Sequence, residues 1–378
     1  MDLANTELRT ADGLHQPAGG AWPGERSRKI GILTFHRCIN YGAYWQMRCL
    51  RDFLLAAGHE VQLLDYHSRD YFWRELKHAI RPFRPAPRRD VAAFAAKALK
   101  FIAAQQRVKR TGKFPLHAPP DFSDFDLVVV GSDEVWNLSH PWLGGVPLFF
   151  GESLAPRRLV AYAASFGNYD SGRGLAPEWI ARLRRFDCIS VRDTNSCDLI
   201  RRHMDMEPTL VLDPCLQFTP APARLTAPRF GPAYLLLYGN RFTPEFAREV
   251  RAWAQARHLR IVSIGYRNDW ADVSLLSAGP DEFVHRFRHA SAVATSYFHG
   301  CVFALRFHQP FVAQLSPYRS NKIRGFLTLV GAMHRIFDPA RSAQVAQLLS
   351  TPIESETIAI IDARRQQSLG FLAHCLRL

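Results

Sequence analysis

Two similar α/β domains facing each other across a cleft is the fold class that this sequence of 378 residues predicts. Three observations predict it. Short apolar runs alternate with helix-spaced stripes from residue 29 onward, the rhythm of a parallel sheet covered by helices. The first-half runs end on small, polar or charged residues, as a site at the carboxyl ends of parallel strands requires. The rhythm breaks at 217–232, where four prolines and several small residues read as a linker, and then it restarts.

Residues 1–28, rich in Gly, Pro and small polar types, read as a flexible leader. The N-terminal domain is expected over 29–216. It opens with an apolar run at 29–35. Ala43, Met47, Leu50 and Leu54 then recur at helical spacing, and Gly58 stands where that helix would end. A strand over 61–64 follows. Segment 69–113 departs from the pattern as a basic insertion. Its prolines at 81–89 impose a non-helical break, and Val91, Phe94, Ala98, Phe101 and Gln105 follow a helical stripe. Strands resume at 127–130, 159–164, 189–191 and 210–212. After the linker, a C-terminal domain over 233–350 has runs at 234–238, 261–264, 292–295 and 311–315. A helix over 281–289 is expected with Asp281 as its N-cap. Ile358, Ile361, Leu369, Leu372 and Leu376 mark a terminal helix within 351–378, whose continuity Gly370 weakens.

Composition bounds the function. At 47% hydrophobic residues the chain can build a large core, burying about three quarters of its unfolded surface. The seven cysteines form no CxxC pair and no metal-ligand spacing, and read as reduced thiols; no metal and no cofactor is expected. The N-terminus lacks an apolar signal region and no run is long enough to cross a membrane, so a cytoplasmic protein is expected. The net charge of +14 favours anionic partners. Much of the excess lies in 69–113, which fits either peripheral docking on the inner membrane face or a solvated lid over the cleft. The bases lack aromatic interleaving and no helix-turn-helix or finger motif appears, so nucleic acid is not expected.

Six short elements are more specific. Thr34-Phe35-His36 with Asn40-Tyr41-Gly42-Ala43 resembles the "TFH…NYGA" opening of the polysaccharide pyruvyl transferase family. Gly131-Ser132-Asp133-Glu134-Val135-Trp136-Asn137 is similar to its "GSDxVWN", and Tyr162-Ala163-Ala164-Ser165-Phe166-Gly167 to its "YAASFG". Ser190-Val191-Arg192-Asp193 resembles "SVRD/E", Val211-Leu212-Asp213-Pro214 resembles "VLDP", and Ser296-Tyr297-Phe298-His299-Gly300 resembles "DSFHG". They occur in family order from residue 29 to about 330. The resemblance implies two Rossmann-like domains in a GT-B-like arrangement. It also implies phosphoenolpyruvate as donor substrate, a sugar of an exopolysaccharide or glycan precursor as acceptor, and a pyruvate ketal as product.

Such chemistry asks for cations or N–H groups around a phosphate and a carboxylate, and for a proton donor near neutral pH. Arg192 at a strand end offers a planar fork for either anion. Asn40 and Gly42 precede a helix whose first N–H groups can hold an oxyanion. With Ser165, Gly300 and Lys322 they are assigned to the donor. His299 is the expected proton donor, histidine being the side chain that titrates near pH 7; read alone, it would be a capping or core histidine. His36, Ser132 and Asp133 are assigned to binding or orienting the acceptor, although His36 also fits a solvated turn and Asp133 an Asx-turn. Trp136 is read as interdomain packing, and Glu134 is left unassigned. The sequence departs from the family pattern at Ser296, Tyr297 and Lys322, where Asp, Ser and Arg are usual, and at Ile39, where a polar residue is common. Two other readings stay open: a GT-B glycosyltransferase with a nucleotide-sugar donor, and a non-catalytic anion-binding protein.

Overall fold

A computed structural model describes residues 26–82, 87–220, 233–316 and 320–377. The expected leader up to residue 25, the linker from 221 to 232 and the centre of the 81–89 break lie outside the described residues.

The first unit begins with β1 (Lys29–Leu33), α1 (Tyr41–Ala56), β2 (Glu60–Leu63), β3 (Tyr66–His67), α2 (Arg69–Ile80), α3 (Arg88–Gln106) and β4 (Phe114–Pro115). It continues with β5 (Leu127–Val130), β6 (Leu159–Ala164), α4 (Pro177–Leu183), β7 (Cys188–Val191), α5 (Thr194–His203), β8 (Thr209–Leu210) and α6 (Pro214–Gln217). The second unit runs through β9 (Tyr234–Tyr238), α7 (Pro244–Ala256), β10 (Arg260–Ile264), β11 (Val273–Leu275), α8 (Pro280–Arg288), β12 (Ala292–Thr295), α9 (Phe298–Arg306) and β13 (Phe311–Ala313). It ends with α10 (Ser320–Leu329) and α11 (Gln344–Ser350), and α12 (Ser355–Arg377) closes the chain.

Each unit holds one large parallel sheet, ordered β2-β1-β5-β6-β7-β8 in the first and β11-β10-β9-β12-β13 in the second, and the first adds a two-stranded parallel pairing of β3 with β4. The central strands are covered by helices on both faces, which is why Leu-Val-Val-Val and Leu-Val-Ala-Tyr-Ala-Ala read as unbroken apolar runs and are buried throughout. In both sheets the chain works outward from one strand, then returns to build in the other direction. The switch falls between β1 and β5 and between β9 and β12, and such a point leaves a crevice at the carboxyl ends of its strands. The fold is thus the predicted α/β class with two Rossmann-like sheets.

The units are closely joined. Tyr41 of α1 stacks on Phe283 of α8 at 4.2 Å, and its hydroxyl donates to the Ala278 carbonyl at 2.7 Å. Trp45, one turn on, donates to the Pro280 carbonyl at 2.9 Å. Helix α3, from the basic segment, adds an ion pair between buried Asp90 and Arg267 and a bond from the Lys97 ammonium to the Gly265 carbonyl at 3.2 Å. At its far end, α12 returns to the first unit, where the Ser368 hydroxyl accepts the Leu212 N–H at 2.9 Å.

Several expectations are corrected. The helix expected over 281–289 starts at Pro280, with Gly279 as cap; Asp281 sits in its first turn, where a carboxylate still favours the positive end of the helix. Trp136 does not pack between domains. Its ring lies among Phe150, Phe166 and Phe186 inside the first unit, and its N–H donates to the Phe149 carbonyl at 2.8 Å. Helix α12 passes through Gly370 unbroken, because Phe371, Leu372, Cys375 and Leu376 bury its last turns. No described helix is long and apolar enough to cross a membrane.

Candidate functional site

His299 is carried by a stiff turn at the end of β12. The Thr295 hydroxyl donates to the Tyr238 carbonyl at 2.6 Å and accepts the Tyr297 N–H at 3.1 Å, bending the chain into α9. Gly300 is needed there, since a Cβ would stand 1.9 Å from Thr295 Oγ1. Its N–H is taken by the Tyr297 carbonyl at 3.0 Å, so a structural role accounts for it and the N–H is not left for a donor. Ser296 uses its hydroxyl within the second unit, donating to the Asn240 carbonyl at 3.0 Å and accepting the Asn240 N–H at 3.2 Å. Tyr297 wedges edge-on against Tyr238 and Tyr266, each at 5.0 Å. The two departures from the family motif therefore brace the turn rather than touch the imidazole.

The imidazole crosses to the first unit. A Cβ on Gly42 would lie 2.1 Å from His299 Nδ1, so glycine is what admits the ring against the first turn of α1. Asn40 caps that helix, its side-chain oxygen accepting the Ala43 N–H at 3.2 Å. The positive ends of α1 and α9 thus meet at His299. Gly42→Ala is expected to displace the ring and cost turnover at least tenfold, a 1 Å misplacement of reacting groups being worth about 10²-fold. Steady-state kinetics beside an unchanged circular dichroism spectrum would check it.

Facing His299 is a carboxylate that the sequence reading did not assign. Asp213 Oδ2 lies 3.7 Å from His299 Nε2, near enough for charge attraction but too far for a hydrogen bond. The same carboxylate accepts from Arg192 Nη1 at 2.9 Å, from the Cys215 N–H at 3.0 Å and from the Gln46 side chain. Arg192, 2% exposed, reaches with its other nitrogen to Asp133 Oδ1 at 3.1 Å and lies 5.3 Å over the Phe298 ring. Lys322 comes from α10 to bridge the units, donating to Glu134 Oε1 at 2.6 Å, with its ammonium 4.6 Å over the same Phe298 ring.

Burial sets the charges. It disfavours the imidazolium, and Lys322 and Arg192 add to it against the opposing pull of Asp213, so His299 titrates at about 4 and is neutral at pH 7. Burial alone would raise the Asp213 carboxyl, but His299, Arg192 and the Cys215 N–H outweigh it and hold it below its ordinary value. In Glu134 burial is likewise outweighed, chiefly by Lys322, and the carboxyl falls to about 2.

The structure brings His299, Arg192, Asp133, Gly42 and Lys322 together. It spends the other predicted side chains elsewhere. His36 is buried, with Nε2 2.9 Å from Asp65 Oδ1 and Nδ1 3.2 Å from the Thr34 carbonyl, so the solvated turn is ruled out. The Ser132 hydroxyl donates to the Ala163 carbonyl at 3.0 Å. The Ser165 hydroxyl donates to Asp193 Oδ2 at 2.7 Å and accepts the Gly167 N–H at 2.8 Å. Asp133 has φ of 94°, a strained value for a non-glycine residue, and accepts its neighbour's N–H at 2.8 Å. Asp213 and Glu134 are the missed residues. Asp213 sits in the Val211-Leu212-Asp213-Pro214 element after a strand, but an Asp before Pro214 reads equally as a helix cap, which it also is.

Among the described residues, Asp213, Cys215 and His299 form a group with ligand atoms close enough to hold a metal ion. The chemistry does not suit one. Arg192 already occupies the carboxylate, and burial raises the Cys215 thiol well above its ordinary value, away from the thiolate a metal needs.

The model of the family described as polysaccharide pyruvyl transferase matches residues 40–313. No curated protein matches the chain. Among solved structures, an O-GlcNAc transferase from Thermobaculum terrenum is 13% identical, with 95% of this chain and 66% of that one covered and a TM-score of 0.37. A thymidine diphosphate complex of a Streptomyces glycosyltransferase is 13% identical over 91% of this chain and 96% of that one, with a TM-score of 0.42. The UDP-GlcNAc 2-epimerase from Methanocaldococcus jannaschii is 12% identical over 85% and 93%, with a TM-score of 0.47.

Proposed function

The chain belongs to the polysaccharide pyruvyl transferase family, and from that premise we propose that it moves the pyruvyl group of phosphoenolpyruvate onto two hydroxyls of a glycan sugar, forming a pyruvate ketal and releasing phosphate. One observation carries the reading. A buried, neutral imidazole, its Nε2 without a hydrogen-bond partner among the described residues, lies where Arg192 and Lys322 converge from the two units.

The reaction adds one hydroxyl oxygen to C2 of the donor and a proton to its methylene carbon. The second hydroxyl oxygen then displaces phosphate. Every atom is kept: one acceptor proton ends in the new methyl group, and the other leaves with phosphate or solvent. A neutral His299 suits the first task, taking a proton from the acceptor hydroxyl. Once charged, it gains the attraction of Asp213 and can pass a proton to the methylene carbon. This modifies the expectation of a resting proton donor, because burial removes the proton before substrate arrives. The two helix ends supply fixed positive potential where the phosphate and carboxylate would lie, beside an Arg192 already paired with Asp213 and Asp133.

The resting site holds Asp133, Glu134 and Asp213 against two cations, so a polyanionic donor must draw Lys322 from Glu134. Glu134→Gln is therefore expected to lower KM for phosphoenolpyruvate several-fold, as the ammonium no longer exchanges a charged partner for the ligand, a bond worth about 1.5–3 kcal/mol. An unchanged or raised KM would place Lys322 outside the donor site. The function itself is tested by phosphate release from phosphoenolpyruvate in the presence of glycan acceptors. Nucleotide release from nucleotide sugars, with no phosphate release, would overturn it in favour of glycosyl transfer.

A further inference from the structure

Residues 69–113 hold thirteen Lys and Arg against three Asp and Glu, and the fold sorts them unevenly. Two of the acids are withdrawn from solvent: Asp90 is 2% exposed and held by Arg267, and Glu75 is buried, accepting the Ile39 N–H at 2.6 Å. Lys97 is also turned inward. Among the bases that remain outside are those on the free face of α2.

That helix buries Tyr71, Glu75 and Ala79 along one side. With 3.6 residues per turn, Trp73, Leu76 and Ile80 fall on the opposite side as a continuous apolar stripe. Trp73 is 59% exposed and the other two are partly so. Arg69 lies in line with the stripe at the start of the helix, and Lys77, Arg81 and Arg74 flank it along one side, all exposed. Among the described residues none of these four bases has an acidic partner within ion-pair distance, and Asp70 is the one acid on the face. An apolar stripe flanked by bases, with an exposed tryptophan in it, is the pattern of a helix lying in a membrane interface. A nucleic-acid backbone would engage the bases but would leave Leu76 and Ile80 without a partner.

We infer that α2 docks the protein on an anionic lipid surface, the Trp73–Leu76–Ile80 stripe entering the headgroup–acyl boundary and the flanking bases meeting lipid phosphates. The inference is independent of the reaction proposed above. The full chain is expected to co-sediment with vesicles of phosphatidylcholine mixed with phosphatidylglycerol at low salt, and far less with phosphatidylcholine alone. Each base near the surface contributes roughly a fivefold change in partitioning, so combined Arg74→Gln, Lys77→Gln and Arg81→Gln should weaken binding about a hundredfold. Trp73→Ser should remove the part that survives high salt. Arg248→Gln, Arg251→Gln and Arg257→Gln, which take the same charge from exposed positions on α7 and its C-terminal cap, should leave binding unchanged. All variants should keep phosphate release with a soluble acceptor, which shows that they fold and separates this test from the reaction. Equal binding to neutral vesicles, an equal loss from the α7 variant, or retention on a nucleic-acid duplex without vesicle binding would each overturn it.

Discussion

His299→Gln is expected to reduce turnover by about 10²–10⁴-fold while the protein stays folded, since the change keeps a neutral polar side chain and removes only its basicity. The pH profile carries the sharper test. With the imidazole titrating at about 4, kcat/KM of the parent protein should hold level near neutrality and fall as pH drops toward that value. The Gln variant should lack this limb, and comparing the two cancels the titration of the donor's own phosphate. The sign matters: a group needed as a base loses activity as it gains its proton. Activity that instead declined as pH rose above about 4 would mean that the resting enzyme needs the imidazolium, and would reverse the assigned role.

Asp213→Ala should be strongly destabilising. Arg192 is buried and divided between Asp213 and Asp133. Removing the carboxylate strands half of a buried guanidinium and the Gln46 side chain, and breaking a buried pair by deleting one partner costs about 3–5 kcal/mol. The urea midpoint should fall accordingly, and turnover should be lost with it because the charge opposite His299 is gone. Asp213→Asn separates the two effects: it keeps the hydrogen bonds in part, so stability should recover more than activity. Equal recovery of both would reduce Asp213 to a structural anchor.

How far the sequence disclosed all this depends on where each residue sits. Strands buried on both faces announce themselves, and β5, β6, β9 and β12 occupy the runs expected of them. Short strands such as β3 and β11 do not, because a two- or three-residue pairing leaves no periodicity to detect. His299 and Arg192 were legible because each stands at the end of such a run. Asp213 stood in equal view, yet its meaning lies in partners 21 and 167 positions away, Arg192 and Gln46, which only folding brings beside it. Trp136 failed for a related reason, since an aromatic residue in a loop gives no sign of which core it enters. The neutral state of His299 was also hidden, being a product of burial between two units.

The return of α12 to the first unit ties the two units together a second time. The second unit is joined to the first by two passages of chain, one leaving after α6 and one arriving at α12, which is fixed there through Ser368 and Arg365. His299 and Lys322 therefore meet Asp213 and Glu134 across a seam that the chain itself crosses twice.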